Sequence, residues 1–106
     1  MSITSDILRG HTEAIILSHL EDQDSYGYRI NQSIQQKTNS EYELKEATLY
    51  SAFRRMEHNG YIAPYWGDET TGARRRYYSI TPEGRRYLAR CRREWLSAKA
   101  LIDKLI

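Results

Sequence analysis

At 106 residues with 28% charged side chains, the chain is long enough for one domain with a modest core, and part of its apolar surface is expected to be buried between subunits. One cysteine, Cys91, excludes an intrachain disulfide framework and a cysteine-based zinc cluster, and the longest apolar run, Ala14 to Leu17, is far too short to cross a membrane. The net charge of +2 excludes no class of partner by itself, while the segment MSITSDILRG lacks the pattern of a secretory signal, so a cytoplasmic location is expected.

Taken in chain order, the first helix is expected from about Ser5, as its cap, to Asp22. Ile7, Leu8, Ala14, Ile15, Ile16, Leu17 and Leu20 give it an apolar surface wide enough to serve both a core and a partner subunit. A polar break from Asp22 to Ser25 precedes a second helix, Tyr26 to about Thr38, in which Ile30 and Ile34 lie one turn apart and Gly27 permits close helix contact. After a turn from Asn39 to Leu44, a third helix opens at Lys45 or Glu46 with Leu49, Phe53 and Met56 on one face, and ends at Asn59-Gly60. The period then changes to that of strands: YIAPYWG, a polar turn from Asp68 to Ala73, then RRRYYSI. Pro64 has no N–H for a ladder bond and suits an edge strand. Thr81 as cap and Pro82 at the first helical position start a last helix that runs to the C-terminus.

The charge is unevenly distributed over these elements. Residues 1–44 hold three basic against seven acidic side chains, a net −4, whereas residues 45–93 hold eleven against five, a net +6. The basic half contains the third helix and the hairpin, as a protein that lays a helix in a DNA groove and holds the flanking phosphates requires. The expected fold is therefore mainly α with a small β-hairpin: a winged helix-turn-helix over residues 1–80, followed by a dimerisation helix over residues 81–106. Thr48, Tyr50, Ser51 and Arg54 are assigned to the groove-facing surface, with Lys45 and Arg55 near phosphates. Arg74, Arg75 and Arg76 approach the backbone or minor groove from the wing. The alternative is a winged-helix module that uses the same face for a protein partner, and loss of affinity with added salt separates the two.

Leu88, Cys91, Trp95, Ala98, Ile102 and Leu105 are spaced 3, 4, 3, 4 and 3 along the last helix. This is a seam of alternating a and d positions and predicts a homodimer, although the same seam would also cover the domain's own core. The small residues Cys91 and Ala98 beside Trp95 leave room for a void.

Three strings, ATLYSAFRRMEHNGYI (Ala47 to Ile62), YWG (Tyr65 to Gly67) and GARRRYYSITPEGRRYL (Gly72 to Leu88), resemble the PadR family of bacterial transcription regulators. The likeness extends back through SYGYRI at Ser25 to Ile30 and is strongest to the short C-terminal subfamily that includes multidrug-responsive repressors. It implies a homodimeric winged helix-turn-helix repressor of a double-stranded DNA operator, with the third helix in the major groove and the last helix as dimer element. The chain departs from the commonest family pattern at Ser51, where proline is usual, and at Lys45-Glu46-Ala47, where Ser-Pro-Gly is frequent, and these departures bear on operator sequence. In that subfamily a tryptophan of the last helix pairs with its dimer mate around a pore that takes flat aromatic ligands, and Trp95 matches it. Ala14, Arg92 and Lys99 join Trp95 as ligand-site candidates. Arg92 and Lys99 lie about one turn either side of Trp95, so unless Glu94 and Asp103 neutralise them the slot is expected to prefer neutral or anionic aromatics. A closed seam would instead make the regulator ligand-independent.

His11, His19 and His58 lack partners at ligand spacing and are read as surface or packing residues, and no metal or cofactor is expected. Cys91 is read as a buried small apolar residue and Trp66 as packed beneath the hairpin. No phosphate loop, activated nucleophile or paired catalytic carboxylates stand out, so an enzyme is not expected.

Overall fold

A computed structural model describes residues 2–67 and 74–106 of the chain. Among them the order is α1 (Ile3–Arg9), α2 (Thr12–Ser18), α3 (Gly27–Lys37), α4 (Glu46–His58), β1 (Ile62–Trp66), β2 (Arg76–Ile80) and α5 (Pro82–Leu105). The hairpin turn expected at Asp68–Ala73 lies outside the described residues.

The single first helix of the sequence reading is corrected to two. Gly10 and His11 interrupt it, and the Thr12 hydroxyl donates to the Arg9 carbonyl at 2.9 Å, taking up an acceptor at the end of α1. Gly10 is a weak helix former, and a side chain that competes for a backbone carbonyl is a common cause of such a break. The cap of α1 is Ser2, whose Oγ accepts from the Ser5 N–H at 3.0 Å, and not Ser5 itself. The break separates two tasks. α2 turns Ile16 and Leu17 into the core, while Ile3 and Ile7 of α1 stay exposed.

The core gathers Ile16, Leu17 and Leu20 with Ile30 and Ile34 of α3, Leu49, Ala52, Phe53 and Met56 of α4, and Leu44, Ile62, Tyr78 and Leu88. Each fully buried aliphatic or aromatic side chain here contributes about 1.5–3 kcal/mol, so α4 is held by its inner face and its outer face is free of packing duties. Gly27 lies close against α4: a Cβ there would stand 3.1 Å from Leu49 Cδ2 and 3.3 Å from the Tyr50 hydroxyl. The turn between the two helices carries Asn39 and Ser40 at positive φ, 50° and 65°. Asn31 clamps its far end, donating from Nδ2 to the Leu44 carbonyl at 2.7 Å and accepting at Oδ1 from the Leu44 N–H at 2.8 Å. Both backbone groups of a buried residue are thus satisfied by one side chain, which fixes where α4 begins.

β1 and β2 pair antiparallel with Ile62 opposite Ile80 and Trp66 opposite Arg76. Tyr78 stands opposite Pro64, yet its N–H and carbonyl are bonded to Ser25 on the other side, at 2.8 and 3.2 Å. Proline therefore occupies the one kind of ladder position that asks for no donor, which agrees with the edge-strand reading. The Ser25–Tyr78 bridge adds a third, single-residue partner to the two strands, which the sequence did not announce.

At the start of α5 the Thr81 hydroxyl accepts from the Gly84 N–H at 3.0 Å and donates to the Gly60 carbonyl at 2.6 Å. The expected cap is thus also a tie to the end of α4, where Gly60 takes a left-handed φ of 77°. α5 then extends about 36 Å at the usual helical rise, and the molecule measures 54 × 30 × 21 Å.

Candidate nucleic-acid interface and effector groove

The inner face of α4 buries Leu49, Ala52, Phe53 and Met56, so the 3.6-residue period turns Lys45, Tyr50, Arg54 and Arg55 outward, with Thr48 and Ser51 half-buried beside them. Thr48, Ser51 and Arg55 border a shallow concavity with Arg9 and Thr12 of the preceding helices. Phe53 stacks on Tyr78 with centroids 4.0 Å apart and planes 18° from parallel, which sets the wing against α4. The candidate groove-facing set and the wing are therefore on neighbouring elements of one body.

Arg74, Arg75 and Arg76 are exposed, and each guanidinium stands over an aromatic ring: Arg74 and Arg76 over Trp66 at 5.7 and 5.5 Å, and Arg75 over Tyr26 at 4.8 Å. Arg76 also pairs with Glu57 of α4 at 3.5 Å. The expectation that Trp66 packs beneath the hairpin is corrected, because the residue is 52% exposed. Strand alternation sets it on the same side as Ile62, with Arg76 directly opposite, but at the far end of the strand from the core, and a ring over which cations stand has a polar reason to remain at the surface. Arg55 is not free either. Its Nε donates to Glu13 Oε2 at 3.3 Å and its Nη1 to Ser51 Oγ at 3.1 Å.

The seam of α5 divides. Leu88 is 2% exposed and completes the core described above, Cys91 is half-buried, and Trp95, Ile102 and Leu105 are 43%, 52% and 75% exposed. Ala98 is exposed too. Burial pushes the Cys91 thiol pKa up, which suits the reading of a small apolar side chain and not a reactive one.

Between α1, α2 and the exposed part of α5 lies an open groove of about 790 Å³ that brings together Ala14, Trp95 and Lys99. His11 meets the Trp95 ring edge to face, centroids 5.0 Å apart at 78°. Sequence spacing gave no sign of that contact, because it depends on the break at Gly10. Arg92 borders a smaller adjoining groove, also lined by Trp95 and Ala14, with its guanidinium gripped by Glu21 through two bonds of 2.8 and 2.9 Å. That pair also holds the Glu21 carboxyl pKa below its ordinary range. The condition set on a positively flanked slot is met: Glu94 and Asp103 line the main groove against Lys99, joined by Asp6 and Glu13, while Arg92 is paired with Glu21, so the preference expected for anionic aromatics does not follow. Asp6 and Glu13 come from α1 and α2, which the one-turn spacing along α5 does not reach.

Two helices braced by a wing, with a polar and cationic outer face on the second, define a winged-helix regulator. Residues 16–90 match the transcriptional regulator PadR-like family. A transcriptional regulator from Clostridium thermocellum is 50% identical, with 99% of each chain covered and a TM-score of 0.90. A PadR family transcription regulator from Clostridium difficile is 38% identical over 90% of this chain and 97% of that one, with a TM-score of 0.76. A Lysinibacillus sphaericus protein is 45% identical over 101 residues, which is 95% of this chain and 93% of the relative. The chain belongs to the PadR-like family of DNA-binding transcriptional regulators.

Proposed function

We propose that the chain is a homodimeric repressor that lays α4 in the major groove, holds flanking phosphates with Lys45 and the wing arginines, and answers a planar aromatic effector at Trp95. In this reading residues 1–80 form the DNA-binding unit, closed by Leu88, and the exposed turns of α5 form the dimer element. The observation that carries the DNA reading is the pair of exposed residues Tyr50 and Arg54, with half-buried Thr48 and Ser51 beside them, next to three exposed wing arginines. The effector reading is supported by a half-exposed indole in an apolar groove large enough for a fused-ring molecule. Acids outnumber bases around that groove, so neutral and cationic aromatics are favoured over anionic ones. The effector acts by favouring one separation of the two α4 helices, which for successive major grooves is about 34 Å.

The test joins two titrations. Duplexes selected from a random library are followed by anisotropy across salt, with Lys45→Ala expected to lower the salt slope by about one and Arg54→Ala to change sequence preference. Salt-insensitive binding would instead favour a protein partner on this face. Fluorescence of Trp66→Phe protein, whose only tryptophan is Trp95 and which is excited selectively at the indole, is titrated with 9-aminoacridine, acridone and anthracene-9-carboxylate. Saturable quenching by the first two supports the effector site, and quenching by none of them makes Trp95 an interface filler.

A further inference from the structure

Glu13 touches both the groove and the DNA-facing helix. It lies in the first turn of α2, where Oε1 accepts from the Tyr87 hydroxyl at 2.8 Å and Oε2 accepts from Arg55 Nε at 3.3 Å. Glu13 and Tyr87 both line the groove beside Trp95. Arg55 belongs to the outward face of α4 and reaches Ser51 at the same time. Burial, and then the bond to Glu13, push the Tyr87 phenol well above its ordinary range, so Tyr87 remains a donor and Glu13 its acceptor at any physiological pH.

We infer that Glu13 is a restraint that withholds Arg55 from DNA phosphate, and that a cation entering the groove draws on the same carboxylate and releases the arginine. The inference rests on the groove being an effector site, as proposed above. One carboxylate serves two donors on two elements, and a third claimant from the groove weakens both bonds because its charge offsets the negative charge they share. The Arg55 side chain is half-exposed, so the ion pair is weak enough to be exchanged and its effect is graded. By linkage, DNA that captures Arg55 must raise the affinity of the groove for a cation by the same factor. This release of Arg55 needs no displacement of a helix by itself and adds to the change in α4 separation proposed above.

A double-mutant cycle tests the restraint without any ligand. Glu13→Gln keeps an acceptor for Tyr87 and removes the charge. It is expected to raise affinity for a duplex about two- to fivefold, the scale of an exposed ion pair, and to steepen the salt slope by about one. In an Arg55→Gln background the same substitution is expected to do neither. No gain in affinity, or an equal gain with and without Arg55, overturns the restraint, because the effect would then be absent or a general loss of negative charge. The coupling is read on DNA-free protein by the Arg55 Nε–H resonance, assigned by its disappearance in Arg55→Gln. Saturation with 9-aminoacridine is expected to move it to the position it holds in Glu13→Gln, and an unmoved resonance at saturation overturns the coupling. A groove that quenches with no probe sinks the effector reading and overturns the coupling with it, while the cycle still decides the restraint.

Discussion

His19 ends α2 with Nδ1 2.7 Å from the Ile15 carbonyl, and since a carbonyl only accepts, Nδ1 carries the proton. Nε2 then presents its lone pair to Lys37 Nζ at 3.4 Å, a contact that a second ring proton would turn into repulsion. Burial first, and Lys37 after it, lower the pKa of this histidine, with the Ile15 bond opposing them. The unfolded chain therefore takes up the proton first as pH falls, so the contribution of His19 to stability is complete above about 6.5 and is lost as pH drops through the folded value. Urea midpoints should show the native protein losing stability between pH 7.5 and 5.5 relative to His19→Gln. Equal losses in the two proteins would mean that other groups set the acid limb.

At the scale of elements, two glycines at the junction of α4 and α5 are required for different reasons. Gly60 has open space around it and a φ of 77°, so Gly60→Ala should cost about 1 kcal/mol through backbone strain alone. Gly84 is buried in the first turn of α5, and a Cβ there would overlap the Tyr61 carbonyl and crowd Ile80 Cγ1. Gly84→Ala should cost about 2 kcal/mol or more and lower Tm by roughly 10 °C, and thermal melts that rank the two variants the other way would refute this account. The same junction marks how far the sequence could be read. Thr81, Pro82 and Gly60 announce themselves because capping and left-handed turns select residue types locally. The Asn31 clamp and the Ser25–Tyr78 bridge join residues far apart in the chain, where no local preference records them. The break at Gly10 was misread because apolar periodicity runs through it, and only the Thr12 hydroxyl and the demands of the core decide where the chain turns.

For the whole molecule, the informative feature is how little of α5 the chain covers by itself. Leu88 is the deepest seam residue, and from Trp95 onward the helix carries its apolar side chains outward together with Ile3 and Ile7 of α1. A contiguous exposed apolar surface of this kind fits a second copy, as the heptad spacing anticipated. Sedimentation at micromolar concentration should give about 25 kDa, twice the 12.5 kDa of one chain, and Ile102→Glu should reduce it to the monomer. A native protein that sediments as a monomer would remove the dimer from the proposed mechanism. The α4 face was legible because amphipathic helices sort their residues by period. The character of the groove was legible only in part, since Glu94 and Asp103 lie on α5 near Trp95 while Asp6 and Glu13 come from helices that the sequence presents as one.

The bridge from Ser25 to Tyr78, together with the stack of Phe53 on Tyr78, ties β2 at the base of the wing to α4 and to the residue preceding Tyr26. On the proposed docking, wing and helix then meet a duplex together. The DNA has to offer groove and backbone at the matching separation, or be bent until it does. Sequences that deform easily gain affinity at base pairs no side chain touches, so the stiffness of an operator becomes part of what this chain distinguishes.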